Sequence, residues 1–283
     1  NPNGGLMPYT FKVAPDKKVK LKDYDPQHNA GLDKQQGEKL FAKLNAELDV
    51  LQEELYAAGT HSVLMILQGM DTSGKDGAIR NVLVNVNPQG CRVESFKVPT
   101  EEELAHDFLW RVHRVTPRTG MLTVFNRSHY EDVLVVRVHD LAPKEVWQAR
   151  YDQINNFEQL LAANRTIILK FFLHISKGEQ EERLLAREQE VEKAWKLSAG
   201  DWREREYWDD YQNAYEDVLS RCSTEAAPWY IVPANRKWYR NLAISEALVD
   251  TLKGHRDQWR AKLQEMSEAG RAELAALRAE KQG

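Results

Sequence analysis

The sequence predicts an α/β protein: a three-layer αβα sandwich on a mostly parallel five-stranded sheet, with a helical insert between the fourth and fifth strands. Three observations predict it. Short apolar runs alternate with longer segments of helical periodicity, the order expected of a parallel sheet covered on both faces. Three of the apolar runs end in dense polar clusters, and open parallel sheets gather ligands at such strand ends. No internal repeat or low-complexity segment breaks the alternation.

Residues 1–34 hold four of the ten prolines and six lysines without helical period, and read as an extended N-terminal arm on the domain surface or reaching a neighbour. Leu40, Leu44, Leu48 and Leu51 lie at helical spacing in a first helix, Lys34 to Ala58. Val63 to Leu67 is a short buried strand ending at a glycine-rich turn, and a helix then runs to Val86. Asn87-Pro88-Gln89-Gly90 is a turn, and Cys91 to Val98 alternates as a second strand. Thr100 opens a helix with Glu101, Glu102 and Glu103 in its first turn, continuing to Arg114. Met121 to Asn126 is a third strand, Lys144 to Ala163 a long helix, and Thr166 to Ser176 a fourth strand. The charged stretch Lys177 to Arg221 is the helical insert. Trp229 to Val232 is the fifth strand, and Trp238 to Leu252 a helix. Residues 35–253 thus form one domain, and 254–283 a C-terminal helix with Trp259, Leu263 and Met266 on one face.

Composition narrows the function. A hydrophobic content of 42% with 29% charged residues is that of a soluble protein with a real core. Cys91 and Cys222 form no framework, so reduced thiols in a cytoplasmic protein are expected. No apolar run nears membrane-spanning length and none reads as a secretory leader, so no membrane partner is expected. A net charge of −4 advertises no nucleic-acid partner. His106 and His113 lack a third ligand nearby, which argues against zinc.

The chemistry centres on Leu64 to Arg80. Gly69 and Gly74 bracket four residues and precede Lys75, the G-x-x-x-x-G-K spacing of a phosphate-binding loop, with a strand before it and a helix after it. Glycines let backbone N–H groups curl around phosphate oxygens, the helix directs its positive end there, and the lysine adds charge. Asp76 stands where Ser or Thr would ordinarily hold Mg²⁺, and Asp71 sits inside the loop, so the loop is of an unusual kind.

A second polar strand end runs Asn126-Arg127-Ser128-His129-Tyr130-Glu131-Asp132. Arg127 suits bidentate phosphate binding, and Glu131 or Asp132 suits a metal or a ribose hydroxyl. The alternative is a capping box, with Ser128 as N-cap and Glu131 completing it. A third strand end, Ser176, leads into the charged insert, where Arg183 and Arg187 share a helix face ahead of Lys193, Lys196, Arg203 and Arg205. That insert reads equally as a solvated, salt-bridged helix and as an arginine-bearing lid, about residues 177–211. Its Trp195, Trp202, Tyr207, Trp208 and Tyr211 read as packing. A further basic group comprises Arg92, Lys97, Arg111, His113, Arg114 and Arg118, for which scattered surface charge is the competing reading.

Together the loop GMDTSGKDGAIR, the motif FNRSHYEDVLVVRVH, the runs ISKGEQEERLLAR and KAWKLSAGDW, and PWYIVPANRKWYRN resemble the polyphosphate kinase 2 family over about residues 35–255. The resemblance implies a P-loop kinase fold with a helical lid. It implies reversible phosphoryl transfer between inorganic polyphosphate and adenine nucleotides, with Mg²⁺ or Mn²⁺, in a homo-oligomer (dimer or tetramer). Asn126, with His129, Glu131 and Asp132, resembles the class III subgroup, which phosphorylates both AMP and ADP. By motif position, Asp71 and Lys75 would handle metal and phosphate, with Gly69, Ser73, Gly74, Asp76, Gly77 and Arg80 around nucleotide and phosphate. Asn126, Arg127 and Glu131 would contact the acceptor, and Arg183 and Arg187 would be lid arginines. Lys97, Arg111, Arg114 and Arg118 form a hypothetical polyphosphate track. Rival readings are a triphosphate-dependent kinase of the thymidylate kinase type and a nucleotide-binding regulatory module.

Overall fold

The strand preceding the glycine-rich turn is the centre of the molecule. In the computed structural model, which describes residues 8–189 and 199–281, this strand has all seven residues buried. In chain order the elements are β1 (Phe11–Lys12), α1 (Lys34–Ala58), β2 (Ser62–Gln68), α2 (Lys75–Val82), β3 (Cys91–Ser95), α3 (Glu101–Leu104), α4 (Trp110–His113), β4 (Leu122–Asn126), α5 (Val135–Val138), α6 (Lys144–Ala163), β5 (Thr166–His174), α7 (Lys177–Gln189), α8 (Ala199–Glu206), α9 (Trp208–Arg221), β6 (Trp229–Pro233), α10 (Lys237–Lys253) and α11 (Arg256–Glu280). The sheet order is β1-β6-β5-β2-β4-β3. From β2 the chain builds β3 and β4 on one side, then crosses to build β5 and β6 on the other. The crevice at that switch point lies beyond the carboxyl end of β2.

β2 to β6 run parallel, as expected, but the sheet has six strands rather than five. The sixth comes from the arm. Phe11 and Lys12 pair antiparallel with Ile231 and Tyr230, and the arm buries Tyr9, Val13, Val19 and Leu21 against the domain. Two residues are too few to show an alternating pattern, so the sequence does not reveal them.

α1 and α10 pack together on one face of the sheet, with α11 and α2 beside them. α1 begins in a capping box between Asp33 and Gln36 and ends at Gly59, whose φ of 59° places it in the left-handed region. On the other face lie α5, α6 and α9, with a 3-10 helix at His129–Val133. Here Lys170 of β5 is fully buried, and its ammonium is bonded to Glu158, to the Tyr130 hydroxyl (2.8 Å) and to the Cys222 carbonyl (2.6 Å). Glu158 also meets His129 Nε2 at 3.1 Å. Two consecutive residues just past β4 are thereby anchored to the core.

Other departures are local. The helix after the loop stops at Val82 instead of Val86. The single helix expected from Thr100 to Arg114 is two short turns, because Asp107 accepts from Leu109 N (3.0 Å) and starts a new turn. The insert is divided among α7, α8 and α9, and Lys193, Trp195 and Lys196 lie outside the described residues. On α11, Trp259 is fully buried and donates to His61 Nδ1 (3.2 Å), whereas Met266 is 49% exposed.

Candidate active site

The glycines at the two ends of the loop are fixed by close approach. A Cβ on Gly69 (φ 154°) would lie 2.9 Å from the Leu173 carbonyl oxygen. At Gly74 (φ 98°) it would lie 2.0 Å from Arg240 Nη1. Lys75, the first residue of α2, curls back over the loop, and its Nζ donates to the Gly69 carbonyl (2.7 Å) and the Met70 carbonyl (3.3 Å). Burial, with Arg127 beside it, brings the Lys75 ammonium down to about 8, against the opposing pull of Asp71, Glu131 and Asp76. Thr72 Oγ1 and Ser73 Oγ are buried without a protein partner, polar atoms that an anion in the loop could satisfy.

The carboxyl end of β4 meets this loop. Arg127 follows the strand in a left-handed conformation (φ 62°), and its Nη2 donates to Asp71 Oδ1 at 2.6 Å, with Glu131 Oε2 3.7 Å from Nη1. Burial works against its charge, but Glu131 and Asp71 hold the guanidinium above its ordinary value. Asn126 Nδ2 donates to Asp76 Oδ1 (2.9 Å), joining the strand end to the first turn of α2. Ser128 caps the 3-10 helix by accepting from Tyr130 N (3.2 Å), but Glu131 completes no capping box. Glu131 accepts instead from Gln68 Nε2 (3.2 Å). Asp132 is directed away, onto Arg150 of α6 (3.2 Å). Arg80 is exposed on the last turn of α2, and Gly77 packs near the Arg240 guanidinium, 3.3 Å from where its Cβ would stand.

The two lid arginines differ in what they do. Arg183 Nη1 donates to the Thr72 and Ser73 carbonyls (2.9 and 3.1 Å), and Nη2 to those of Ala234 and Asn235 (2.7 and 2.9 Å). Its Nε meets Glu179 at 2.6 Å. This arginine ties the phosphate loop to the β6–α10 connection and has no donor left for a substrate. Arg187 pairs with Asp201 of α8 (2.8 Å). Burial, with Asp71 nearby, raises the Asp201 carboxyl, so α8 lies over the same acidic group as the loop. Arg205 ties α8 to the Lys177 carbonyl (2.7 Å) and to Glu181 (2.6 Å).

The expected basic track does not assemble. Arg111 is buried, donating to the Lys97 carbonyl (2.9 Å) and lying 3.5 Å from Glu103, beneath the Phe96 ring. Arg114 stacks on Trp110, 4.5 Å from its centroid. Arg118 precedes β4 beside the turn whose Gly120 N bonds the His61 carbonyl, at the amino ends of the strands, opposite the loop. Lys97 is exposed just beyond β3.

Several residues at the site escape a reading of the sequence. Tyr215 of α9 is buried against Arg127, Glu131 and Asp71, and burial pushes its phenol well above the ordinary value. Tyr211, one turn away, is within the influence of Glu131 and donates to Glu204 (2.7 Å). Gln180 of α7 donates to the Asp71 carbonyl (3.2 Å). Only helical spacing marks the tyrosines, and that pattern equally describes packing.

The chain is similar to known proteins in both sequence and fold. The family model for Polyphosphate kinase 2 (PPK2) matches residues 31–260. A Meiothermus ruber protein named AMP/ADP-polyphosphate phosphotransferase is 55% identical over 246 residues, covering 86% of this chain and 92% of its own. The ADP-polyphosphate phosphotransferase of Rhodopseudomonas palustris is 45% identical over 284 residues, covering 95% and 96%. Among solved structures, the polyphosphate kinase 2 of Arthrobacter aurescens superimposes with a TM-score of 0.83 at 45% identity, covering 86% of this chain and 88% of that one.

Proposed function

The chain belongs to the polyphosphate kinase 2 family, and on that premise we propose that it transfers the terminal phosphoryl group of inorganic polyphosphate to AMP and to ADP. The observation that carries the proposal is the convergence of two cationic strand ends, Lys75 after β2 and Arg127 after β4, on a loop with buried, unpartnered hydroxyls. Such a cradle suits phosphate. The relative of 55% identity, named for both AMP and ADP, supports taking both nucleotides over one.

The acceptor phosphate is largely ionised near neutral pH, so no strong general base is required. Catalysis reduces to aligning two polyanions and neutralising charge as it develops on the transferred group. Lys75 and Arg127 supply that neutralisation, while Arg183 holds the loop in shape. Arg187, released from Asp201, is the lid arginine with donors to give. Exposed Lys97, at the carboxyl edge of the sheet, supports an entry path for the donor chain.

The residues suit Mg²⁺ or Mn²⁺. Among the described residues no group of three or more His, Cys, Asp or Glu is arranged to hold a metal, but Mg²⁺ in phosphoryl transfer is held by one or two carboxylates together with substrate phosphates and water. Asp71, 22% exposed at the loop, would be that carboxylate. When bound, the ion would offset the negative charge of the phosphates. Asp71 accepts from Arg127 (2.6 Å), which makes its carboxylate a poor nucleophile and supports direct transfer without a phosphoenzyme. The two free thiols support a cytoplasmic setting, and the working form is taken to be a homo-oligomer, a dimer or tetramer.

The test is purified protein with Mg²⁺ and long-chain polyphosphate, AMP and ADP supplied separately and no ATP, with products separated by chromatography. ADP from AMP and ATP from ADP are expected, both lost in Lys75→Ala. Turnover only with a nucleoside triphosphate as donor would replace this reading by the thymidylate-kinase-type one.

A further inference from the structure

One buried cation at the site has no carboxylate partner among the described residues and touches the loop at Gly74. Arg240, in the first turn of α10, is 2% exposed. Its Nε and Nη2 both donate to Asn241 Oδ1 (3.1 and 2.7 Å), and among the described residues no carboxylate pairs with it. Its Nη1 lies against Gly74, where even a Cβ would come within 2.0 Å, and the guanidinium also borders Gly77.

Apart from the neutral Asn241 acceptor, its surroundings oppose its charge. It sits at the amino-terminal end of α10 and beside that of α2, and helix N-termini disfavour cations. Arg183 is close enough to act on it, and together with burial lowers the guanidinium to about 10. A buried, unpaired charge is among the most destabilising features a fold can carry. An arginine that only filled space here would be better replaced by a methionine.

We propose that Arg240 is a positioning residue for phosphate: its uncompensated charge, pressed against the loop at Gly74, strengthens the loop's hold on the substrate polyanion without touching it. The compensating anion is the phosphate chain that the loop binds. The idea rests on the phosphate-binding reading of the loop, and it adds that the fold gives up stability at Arg240 in exchange for affinity.

The experiment compares Arg240→Met with Arg240→Lys in the full chain, reading the thermal midpoint, kcat and KM, and the Kd for tripolyphosphate and for ATP by calorimetry. Arg240→Gln serves as a second neutral variant should methionine fail to fold. The neutral variant is expected to melt higher than the parent and to bind polyanion about tenfold more weakly, the scale of one charge acting at close range in a partly shielded site. Its kcat should stay within about twofold, and Arg240→Lys should restore affinity. A lower midpoint with unchanged Kd would make Arg240 a packing residue. A large loss of kcat at unchanged KM would make it a direct contact to the reacting group. Either result overturns the proposal. If the parent binds ATP and not tripolyphosphate, the donor assignment fails, while the charge effect is still read on ATP.

Discussion

Replacing Arg183 by lysine separates two roles open to an arginine on a lid helix. Its guanidinium donates to four backbone carbonyls, two in the phosphate loop and two between β6 and α10. A lysine ammonium has three donors on one point and no planar fork, so it cannot bridge both segments. Hydrogen bonds from a charged donor are worth about 1.5–3 kcal/mol each, and leaving a buried acceptor unmade costs a similar amount. With one segment still served by the lysine, a net loss of about 3 kcal/mol is expected. An unfolding entropy of about 2.1 cal/mol/K per residue gives roughly 0.6 kcal/mol/K for the 283-residue chain, hence a fall in Tm of about 5 °C. Activity should fall with it, by about a hundredfold, because the loop loses its tether and small misplacements are punished heavily in positioned reactions. Calorimetry and initial rates on the same preparation measure both. An unchanged midpoint with the activity loss intact would refute the tether and return Arg183 to direct contact with the transferred phosphate.

Two further outcomes follow from buried charges. Since Lys75 lies at about 8 when folded and 10.5 in its ordinary state, the unfolded chain binds more protons between those values, so this group makes stability rise with pH across that window. Polyphosphate KM should rise over the same range as the ammonium is lost; a pH profile shows it, and Lys75→Met removes the stability slope. Lys170→Met strands the Glu158 carboxylate in the core and should lower unfolding free energy in urea by about 3–5 kcal/mol, most of it recovered when Glu158→Gln is added.

Much of the fold was legible because its signals are local. The apolar runs of β2 and β5 are buried throughout their length and long enough to declare themselves. The loop was equally plain, since its glycines and lysine are contiguous. Residues whose role depends on distant partners were not. Arg183 reads as a lid arginine from its place on a charged helix, yet its donors go to carbonyls 51 to 111 positions away. Arg111 reads as part of a polyphosphate track until Phe96 and Glu103 are seen to enclose it. Arg118 stands four residues before β4, and a parallel strand puts its two ends at opposite edges of the sheet. Asp132 and Glu131 are neighbours in sequence but serve different partners, Arg150 and Gln68. In each case the sequence carries the residue's chemistry and not its direction, because side-chain direction is set by tertiary packing.

The arm has a consequence for self-association. β6 is five uncharged, buried residues, Trp229 to Pro233, and among the described residues the only strand on its outer side is the two-residue β1. Without that cover its backbone groups would form an open template of high β-propensity, able to recruit another chain. The opposite border, β3, is instead guarded by charge: Arg92 and Glu94 pair on its surface, with Lys97 following. One margin of the sheet resists polymer growth by its own electrostatics, whereas the other depends on a short piece of chain staying in place.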